Sequence, residues 1–168
     1  MDKEIRTGRL IMKPYEENNR DGLAELLTNE QIKETFMIPE FTSQKSLDDA
    51  VDKLYRASLS DEHFERGIFL QDVLIGFVND VYMSDDSIEI GFAIHPNYHN
   101  HGYATEMLCA VIRSLLNNGY SSVIAGAFEQ NCASIRVMQK SGMTKIDKEE
   151  DILYHGTTMH CVYFSISK

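Results

Sequence analysis

The sequence is poor in cysteine and in long apolar runs, and each shortage excludes a class of protein. Its three cysteines, Cys109, Cys132 and Cys161, are odd in number and widely spaced, so neither a disulfide framework nor a zinc knuckle is expected. We interpret Cys109 and Cys132 as core residues on helices. No apolar run approaches the roughly 20 residues of a membrane span, and the N-terminus lacks a signal-peptide pattern. We therefore expect a cytoplasmic protein without a membrane partner.

Basic residues are also scarce. Acidic residues outnumber them by 26 to 16, which gives a formal net charge of −10. Binding to a nucleic-acid backbone requires clustered Lys and Arg, so no nucleic-acid partner is expected. A cationic amine suits this surface, whereas an anionic ligand would need a local exception such as the N-terminus of a helix.

Apolar periodicity predicts a mixed α+β fold in the order strand, two helices, three strands, helix, strand, helix, two strands. The predicted strands are 9–14, two strands within 67–83 separated by a turn at 71–72, 87–95, 121–127 and two closing strands. The predicted helices are about 17–28, one starting after Ser43 or Ser46, 102–118 and 131–141. The strand-helix-strand unit over 87–127 implies one parallel pair in a largely antiparallel sheet.

Three histidines, His95, His99 and His101, precede the predicted helix that starts near Gly102. Neither a cysteine pair nor a helical His-x-x-x-His accompanies them, which argues against zinc. Gly102 and Ala104 could instead open a helix whose free N–H groups hold an anion, or the glycine merely starts a helix. The Walker pattern and the three-glycine dinucleotide fingerprint are absent. The residues alone leave the anion site and the plain helix start both open.

The segment from Glu89 to Met143 resembles the GNAT superfamily of acetyl-CoA-dependent N-acetyltransferases. HNHGYA, residues 99–104, is similar to the family loop Arg/Gln-x-x-Gly-x-Gly/Ala, with histidine in the first position. NCAS and KSGM, residues 131–134 and 140–143, resemble the family's Asn-x-x-Ser and Lys-x-Gly-Phe, with methionine for phenylalanine. TGRLIMKP, residues 7–14, resembles the opening Thr-x-Arg-Leu-x-Leu-Arg of the branch that includes the ribosomal-protein alanine acetyltransferases.

This resemblance implies a single GNAT domain over residues 1–168, with a mostly antiparallel mixed sheet of about seven strands, about four helices, and a splayed fourth and fifth strand. It implies acetyl-CoA as co-substrate and no metal. The pantetheine arm would lie along the fourth strand and the pyrophosphate on the loop amides, with the histidines as accessory donors. The implied coenzyme-binding residues are Phe92, Ala93, Ile94, His99, Asn100, His101, Gly102, Tyr103, Ala104, Asn131 and Ser134.

The fourth predicted strand also carries the candidate catalytic groups. Alternation places Glu89, Gly91 and Ala93 on one face, where the small pair either leaves room for a ligand or lets a helix pack closely. The implied reaction is direct attack of a neutral amine on the thioester, which requires a base. We predict Glu89 as that base, although it could equally bridge a Lys or Arg, and the backbone N–H of Ile94 as the oxyanion donor. The family's acidic tyrosine is replaced by Met138.

The expected partners are acetyl-CoA and an amine acceptor, either a small molecule or a protein N-terminus. Acceptor choice should depend on the first two helices and on the loops around residues 30–45 and 148–157, which contain no pattern that identifies the acceptor. A homodimer is left open. The alternative functions are a non-catalytic acyl-CoA-binding or sensor module of the same fold and, from the histidines alone, a metal-binding protein.

Overall fold

The computed structural model describes residues 2–168 and contains one eight-stranded sheet. Its strands are β1 (Ile5–Arg6), β2 (Leu10–Lys13), β3 (Glu65–Leu70), β4 (Val73–Met83), β5 (Ser87–Ile94), β6 (Ser122–Phe128), β7 (Thr144–Tyr154) and β8 (Thr157–Ser167). Its helices are α1 (Arg20–Thr28), α2 (Glu30–Lys33), α3 (Gln44–Leu59), α4 (Tyr103–Asn117) and α5 (Cys132–Lys140), with short 3-10 turns at Glu17–Asn19 and Pro96–Tyr98. The spatial strand order is β1-β2-β3-β4-β5-β6-β8-β7.

The predicted fold class is confirmed, with two short elements added to the predicted order. These are β1, which has two residues, and α2, which has four. Neither is long enough to show a hydrophobic period, so periodicity could not find them. Among residues 2–168, no helix combines the length and the apolarity needed to cross a membrane.

The strands β5 and β6 form the parallel pair, and they separate halfway along their length. Their pairing runs from Ser87 opposite Ser122 to Ile90 opposite Ala125. Beyond that point β5 continues to Ile94 and β6 to Phe128, while β5 remains paired with β4. The predicted splay is therefore confirmed, and it leaves a gap on one side of β5.

Helices cover both faces of the sheet. One core cluster lies between the sheet and α4, and it includes Ile88, Ile90 and Ile94 of β5. The other lies between the opposite face and α1 to α3, and Ala93 packs against it. The predicted alternation of β5 is thus confirmed.

Position 91 leaves no room for a side chain, because an aromatic ring packs against the backbone there. A Cβ built on Gly91 would lie 2.8 Å from Cε2 of Phe36 and 3.3 Å from Oδ1 of Asn79. Phe36 follows α2 and meets Phe77 edge-on, with ring centroids 5.0 Å apart. Of the two alternatives for this position, close packing is the observed one, although the packing partner is a loop residue and not a helix.

The variant Gly91→Ala should destabilise the protein by about 1–2 kcal/mol, because the new methyl overpacks Phe36. In the double variant Gly91→Ala/Phe36→Leu, the smaller leucine should relieve the overpacking. The double variant should therefore lose less stability than the sum of the two single losses. Urea denaturation measures both effects. Gly8→Ala is the matched control, since its Cβ would approach no atom closer than 3.9 Å. Simple additivity of the Gly91 and Phe36 substitutions would contradict the proposed contact.

One prediction about the cysteines is wrong. Cys132 was expected in the core, but it is exposed, because it is the first residue of α5 and follows the capping residue Asn131. Cys109 is half-buried on α4 and Cys161 is buried on β8.

Candidate active site

The chain turns sharply between β5 and α4, and its amides line the turn. Asn100 and Gly102 have positive φ angles of 63° and 79°. Gly102 precedes α4, and the first bond within the helix runs from the N–H of Glu106 to the carbonyl of Gly102 at 3.0 Å. The amides of residues 103–105 therefore have no partner within the helix. A left-handed turn beside free helix amides is a geometry suited to binding an anion, and we call this loop the cradle (residues 100–104).

The three histidines shape this loop through separate partners. His99 Nε2 lies 2.7 Å from the carbonyl oxygen of Ile94, and His101 Nδ1 lies 2.6 Å from the carbonyl oxygen of His99. Since a carbonyl only accepts, both ring nitrogens carry hydrogen. His95 turns to α1, where its Nε2 lies 3.2 Å from Glu25 Oε1. No group of three or more His, Cys, Asp or Glu within residues 2–168 is placed to hold a metal.

Two amides of β5 face the gap beside β6. The N–H of His95 donates to the carbonyl of Ile75 at 2.7 Å, so Ile94 belongs to a non-hydrogen-bonded pair with β4 and its own N–H points away from β4. Phe92, two residues earlier, has the same orientation, whereas the backbone of Ala93 faces β4. The gap therefore exposes backbone N–H groups with which an extended ligand can form hydrogen bonds.

The start of α5 forms the opposite wall. Asn131 caps the helix as predicted, since its Oδ1 accepts from the N–H of Ser134 at 3.1 Å. Its Nδ2 also donates to Ser134 Oγ at 2.9 Å. One and two turns further along, Arg136 and Lys140 lie four residues apart and thus share a face of α5.

The cradle, the gap and α5 enclose a cavity of about 420 Å³, which we call the coenzyme cavity. Of the predicted coenzyme-binding residues, only His101 lies outside its lining. Two lining cations, Arg136 and Lys140, were missed by sequence reasoning, although their spacing on the helix after Asn131 could have indicated them. Among residues 2–168, no Asp or Glu lines this cavity, although the protein has a net charge of −10.

A second cavity of about 510 Å³ adjoins the first and shares Thr35 and Asn131 with it. We call it the acidic cavity, because its lining includes Glu30, Glu34 and Glu40 along with Lys33 and His155. It lies between α2 with its following loop and the β7–β8 hairpin. These are the segments to which the sequence analysis assigned the choice of acceptor.

Tyr154 ties the two walls of the acidic cavity together. Its hydroxyl lies 2.9 Å from the carbonyl oxygen of Lys33 and 3.1 Å from that of Phe36, and it accepts from the N–H of Ile38 at 3.2 Å. The hairpin thus fixes the loop after α2, including the ring that packs on Gly91.

A comparison with known families identifies the chain. The family described as acetyltransferase (GNAT) domain matches residues 9–144. This chain belongs to the GNAT acetyltransferase family. The predicted enzyme class, an N-acetyltransferase, is confirmed with it.

Individual relatives of this GNAT chain agree with the family match. The uncharacterized N-acetyltransferase YnaD of Bacillus subtilis strain 168 is 30% identical over 152 residues, which cover 84% of this chain and 82% of YnaD. A GNAT-family acetyltransferase from Bacillus anthracis superposes with a TM-score of 0.83 at 21% identity, over 98% of each chain. RimL, a ribosomal L7/L12 α-N-protein acetyltransferase solved with coenzyme A, superposes with a TM-score of 0.85 at 14% identity, over 98% of this chain and 97% of RimL. The two structural likenesses show a shared fold.

The predicted base of this GNAT domain does not line the coenzyme cavity or the acidic cavity. Glu89 is in the paired part of β5, and its Oε2 lies 2.9 Å from Lys148 Nζ. Lys148 in turn lies 3.9 Å from the ring centre of Tyr163. A role for Glu89 as base therefore requires a water molecule between the carboxylate and the amine, and it stays a prediction. Met138, in the family's tyrosine position, is fully buried in the core.

Proposed function

We propose that this protein transfers the acetyl group of acetyl-CoA directly to a primary amine of a small molecule or a protein N-terminus. The observation that carries the proposal is the pair of adjoining cavities with opposite charge. The coenzyme cavity has two cations and no carboxylate in its lining, whereas the acidic cavity has three glutamates. A polyphosphate suits the first and a protonated amine suits the second. Because the cavities share Thr35 and Asn131, thioester and amine can meet.

The coenzyme would be held mainly by backbone groups. The cradle amides of residues 100–104 would bind the pyrophosphate, and the N–H groups of Phe92 and Ile94 would bond the pantetheine arm along the gap. Ala93 would form part of the wall, since its backbone faces β4. Arg136 and Lys140 would add charge-assisted hydrogen bonds to phosphate oxygens. Asn131 and Ser134 still have hydrogens to donate to the arm.

The proposed reaction has no acetyl-enzyme stage. An alkyl amine, with a pKa near 10.4, must first lose a proton, which Glu89 would accept through water. The amine nitrogen then forms a bond to the thioester carbonyl carbon, and the N–H of Ile94 stabilises the oxyanion. Collapse of this adduct breaks the C–S bond and releases the thiolate, whose low basicity allows it to leave without the family's tyrosine. The nitrogen loses its remaining extra proton to water or to the departing thiolate, which leaves a neutral amide.

The test is free-thiol release from acetyl-CoA in the presence of peptide N-termini, polyamines and aminoglycosides. We expect release with at least one cationic amine, and a lower kcat without a change in acetyl-CoA affinity for Glu89→Gln. Coenzyme binding without turnover on any amine, unaffected by Glu89→Gln, would favour the sensor module. Absence of both binding and turnover would refute the proposal.

The name of RimL, which describes an α-N-protein acetyltransferase, makes a protein N-terminus one acceptor worth including. An identity of 14% supports the shared fold and does not choose the acceptor. The cytoplasmic location, the single domain over residues 1–168 and the homodimer stay predictions.

A further inference from the structure

The Thr-x-Arg motif at residues 7–9 has no role in the proposed reaction. It nevertheless forms hydrogen bonds and an ion pair with Glu106, in the first turn of α4. Thr7 Oγ1 donates to Glu106 Oε1 at 2.6 Å, and the backbone N–H of Arg9 donates to the same oxygen at 2.9 Å. The Nε and Nη2 atoms of Arg9 each lie 2.6 Å from Glu106 Oε2. The turn between β1 and β2 therefore satisfies both carboxylate oxygens.

The same guanidinium also contacts the cradle. Arg9 Nη1 donates to the carbonyl of His101 at 3.0 Å, and a Cβ built on Gly102 would lie 3.6 Å from Arg9 Nη2. Arg9 lies 4.6 Å from the ring centre of Tyr103, on which His101 stacks with centroids 5.6 Å apart. One side of the guanidinium thus holds Glu106 while another holds the anion loop.

Without Arg9, the carboxylate of Glu106 would repel the pyrophosphate of the coenzyme. Burial tends to raise the pKa of Glu106, but the hydrogen bonds from Thr7 and Arg9 outweigh it and lower the pKa, so the group is an anion at neutral pH. A carboxylate in the first turn stabilises the helix. It also repels a second anion bound at the same helix end.

We propose that Arg9 is a positioning residue that cancels the charge of Glu106 beside the cradle, so that the pyrophosphate meets amides and not an uncompensated carboxylate. This inference rests on the proposed function, because it concerns the binding of acetyl-CoA. Arg9 acts through Glu106 and His101 and is not assigned a contact with the reacting atoms.

The test is acetyl-CoA affinity, measured by calorimetry at low salt for three variants. Arg9→Gln should weaken binding about tenfold. Glu106→Gln, which removes the anion and keeps the cation, should tighten binding about twofold to threefold. The double variant Arg9→Gln/Glu106→Gln should return to within about threefold of the wild type. Because both side chains are partly exposed, the loss in Arg9→Gln should shrink as salt screens the repulsion.

The two single variants distinguish charge cancellation from a mechanical brace, in which the Arg9–Glu106 contact only holds the loop in place. Charge cancellation predicts changes in affinity of opposite sign in Arg9→Gln and Glu106→Gln. A brace is broken by either substitution, so it predicts weaker binding in both single variants and no recovery in the double variant. S-acetylpantetheine, which lacks the pyrophosphate, gives a second readout: its KM should be the same for the wild type and Arg9→Gln. Arg6→Gln is the matched control, since Arg6 lies in β1 and pairs with Glu4, two residues earlier in the chain, and not with Glu106.

Two results would overturn the inference while leaving the proposed function intact. The first is wild-type affinity in Arg9→Gln, and the second is an equal loss in Arg9→Gln and in the double variant. Failure of the wild-type protein to bind acetyl-CoA would overturn the proposed function and this inference together.

Discussion

Replacing Gly102 with valine should weaken acetyl-CoA binding roughly a hundredfold, if two charge-assisted amide bonds of about 1.5 kcal/mol each are lost. Gly102 has a φ of 79°, which a β-branched residue rarely adopts. Valine would therefore reshape the cradle as well as place methyl groups where the pyrophosphate approaches. Within the protein itself there is room, since the nearest atom to a built Cβ lies 3.6 Å away. Calorimetric titration with acetyl-CoA measures the loss.

Gly119→Val separates the cradle from general backbone strain. Gly119 follows the other end of α4, has a φ of 115°, and has no atom within 4 Å of a built Cβ. Both variants should lose thermal stability for the same conformational reason, but only Gly102→Val should lose coenzyme affinity. Undiminished affinity in Gly102→Val would mean that the pyrophosphate does not bind at this turn.

The sequence predicts best the elements whose start, stop and apolar face are all encoded locally. The helix predicted over 102–118 is observed at Tyr103–Asn117, because glycines with positive φ flank a regular apolar stripe. The cap at Asn131 is another local signal, since its partner is only three residues away. The elements β1 and α2 lack such signals, because tertiary contacts and not periodicity decide whether segments of two and four residues are ordered.

The candidate site likewise contains one feature that is encoded locally and others that depend on residues far apart in the chain. The cradle is a backbone feature of consecutive residues. Gly102 and Ala104 alone leave it as one of two alternatives, and the resemblance of residues 99–104 to the family loop favours it. The ion pair of Glu89 with Lys148 joins residues 59 positions apart, and the ion pair of Arg9 with Glu106 joins residues 97 positions apart. Nothing local pairs these charges. The sequence therefore predicts where the coenzyme should bind, but not which charges surround the chemistry.

Replacing Glu65 with glutamine should remove much of the loss of stability that the wild-type protein shows between pH 5 and pH 8.5. Glu65 is only 3% exposed, and its carboxyl accepts from the hydroxyl of Tyr15. Burial, together with the charge of Asp80, raises the pKa of Glu65 to about 8 despite the opposing effects of the Tyr15 hydrogen bond and the Arg66 charge. The native state thus favours a protonated carboxyl.

The sign of the pH effect follows from proton linkage. In the unfolded chain the pKa of a glutamate is near 4.3, so between that pH and about 8 the folded state binds more protons than the unfolded state. The contribution of Glu65 to stability is fully present below about pH 4.3 and is lost as the pH rises through about 8. For a shift of this size the loss is on the order of 3–5 kcal/mol. Glutamine keeps the shape and an acceptor for Tyr15 but does not ionise.

Urea denaturation at pH 5 and pH 8.5 tests this expectation. The difference in free energy of unfolding between the two pH values should be larger for the wild type than for Glu65→Gln by a few kcal/mol. Other titrating groups contribute equally to both proteins, so the comparison isolates Glu65. Glu62→Gln changes an exposed glutamate three residues away and should follow the wild type. Equal pH dependence in the wild type and Glu65→Gln would mean that the carboxyl titrates as it does in water, and that solvent reaches it beside Tyr15.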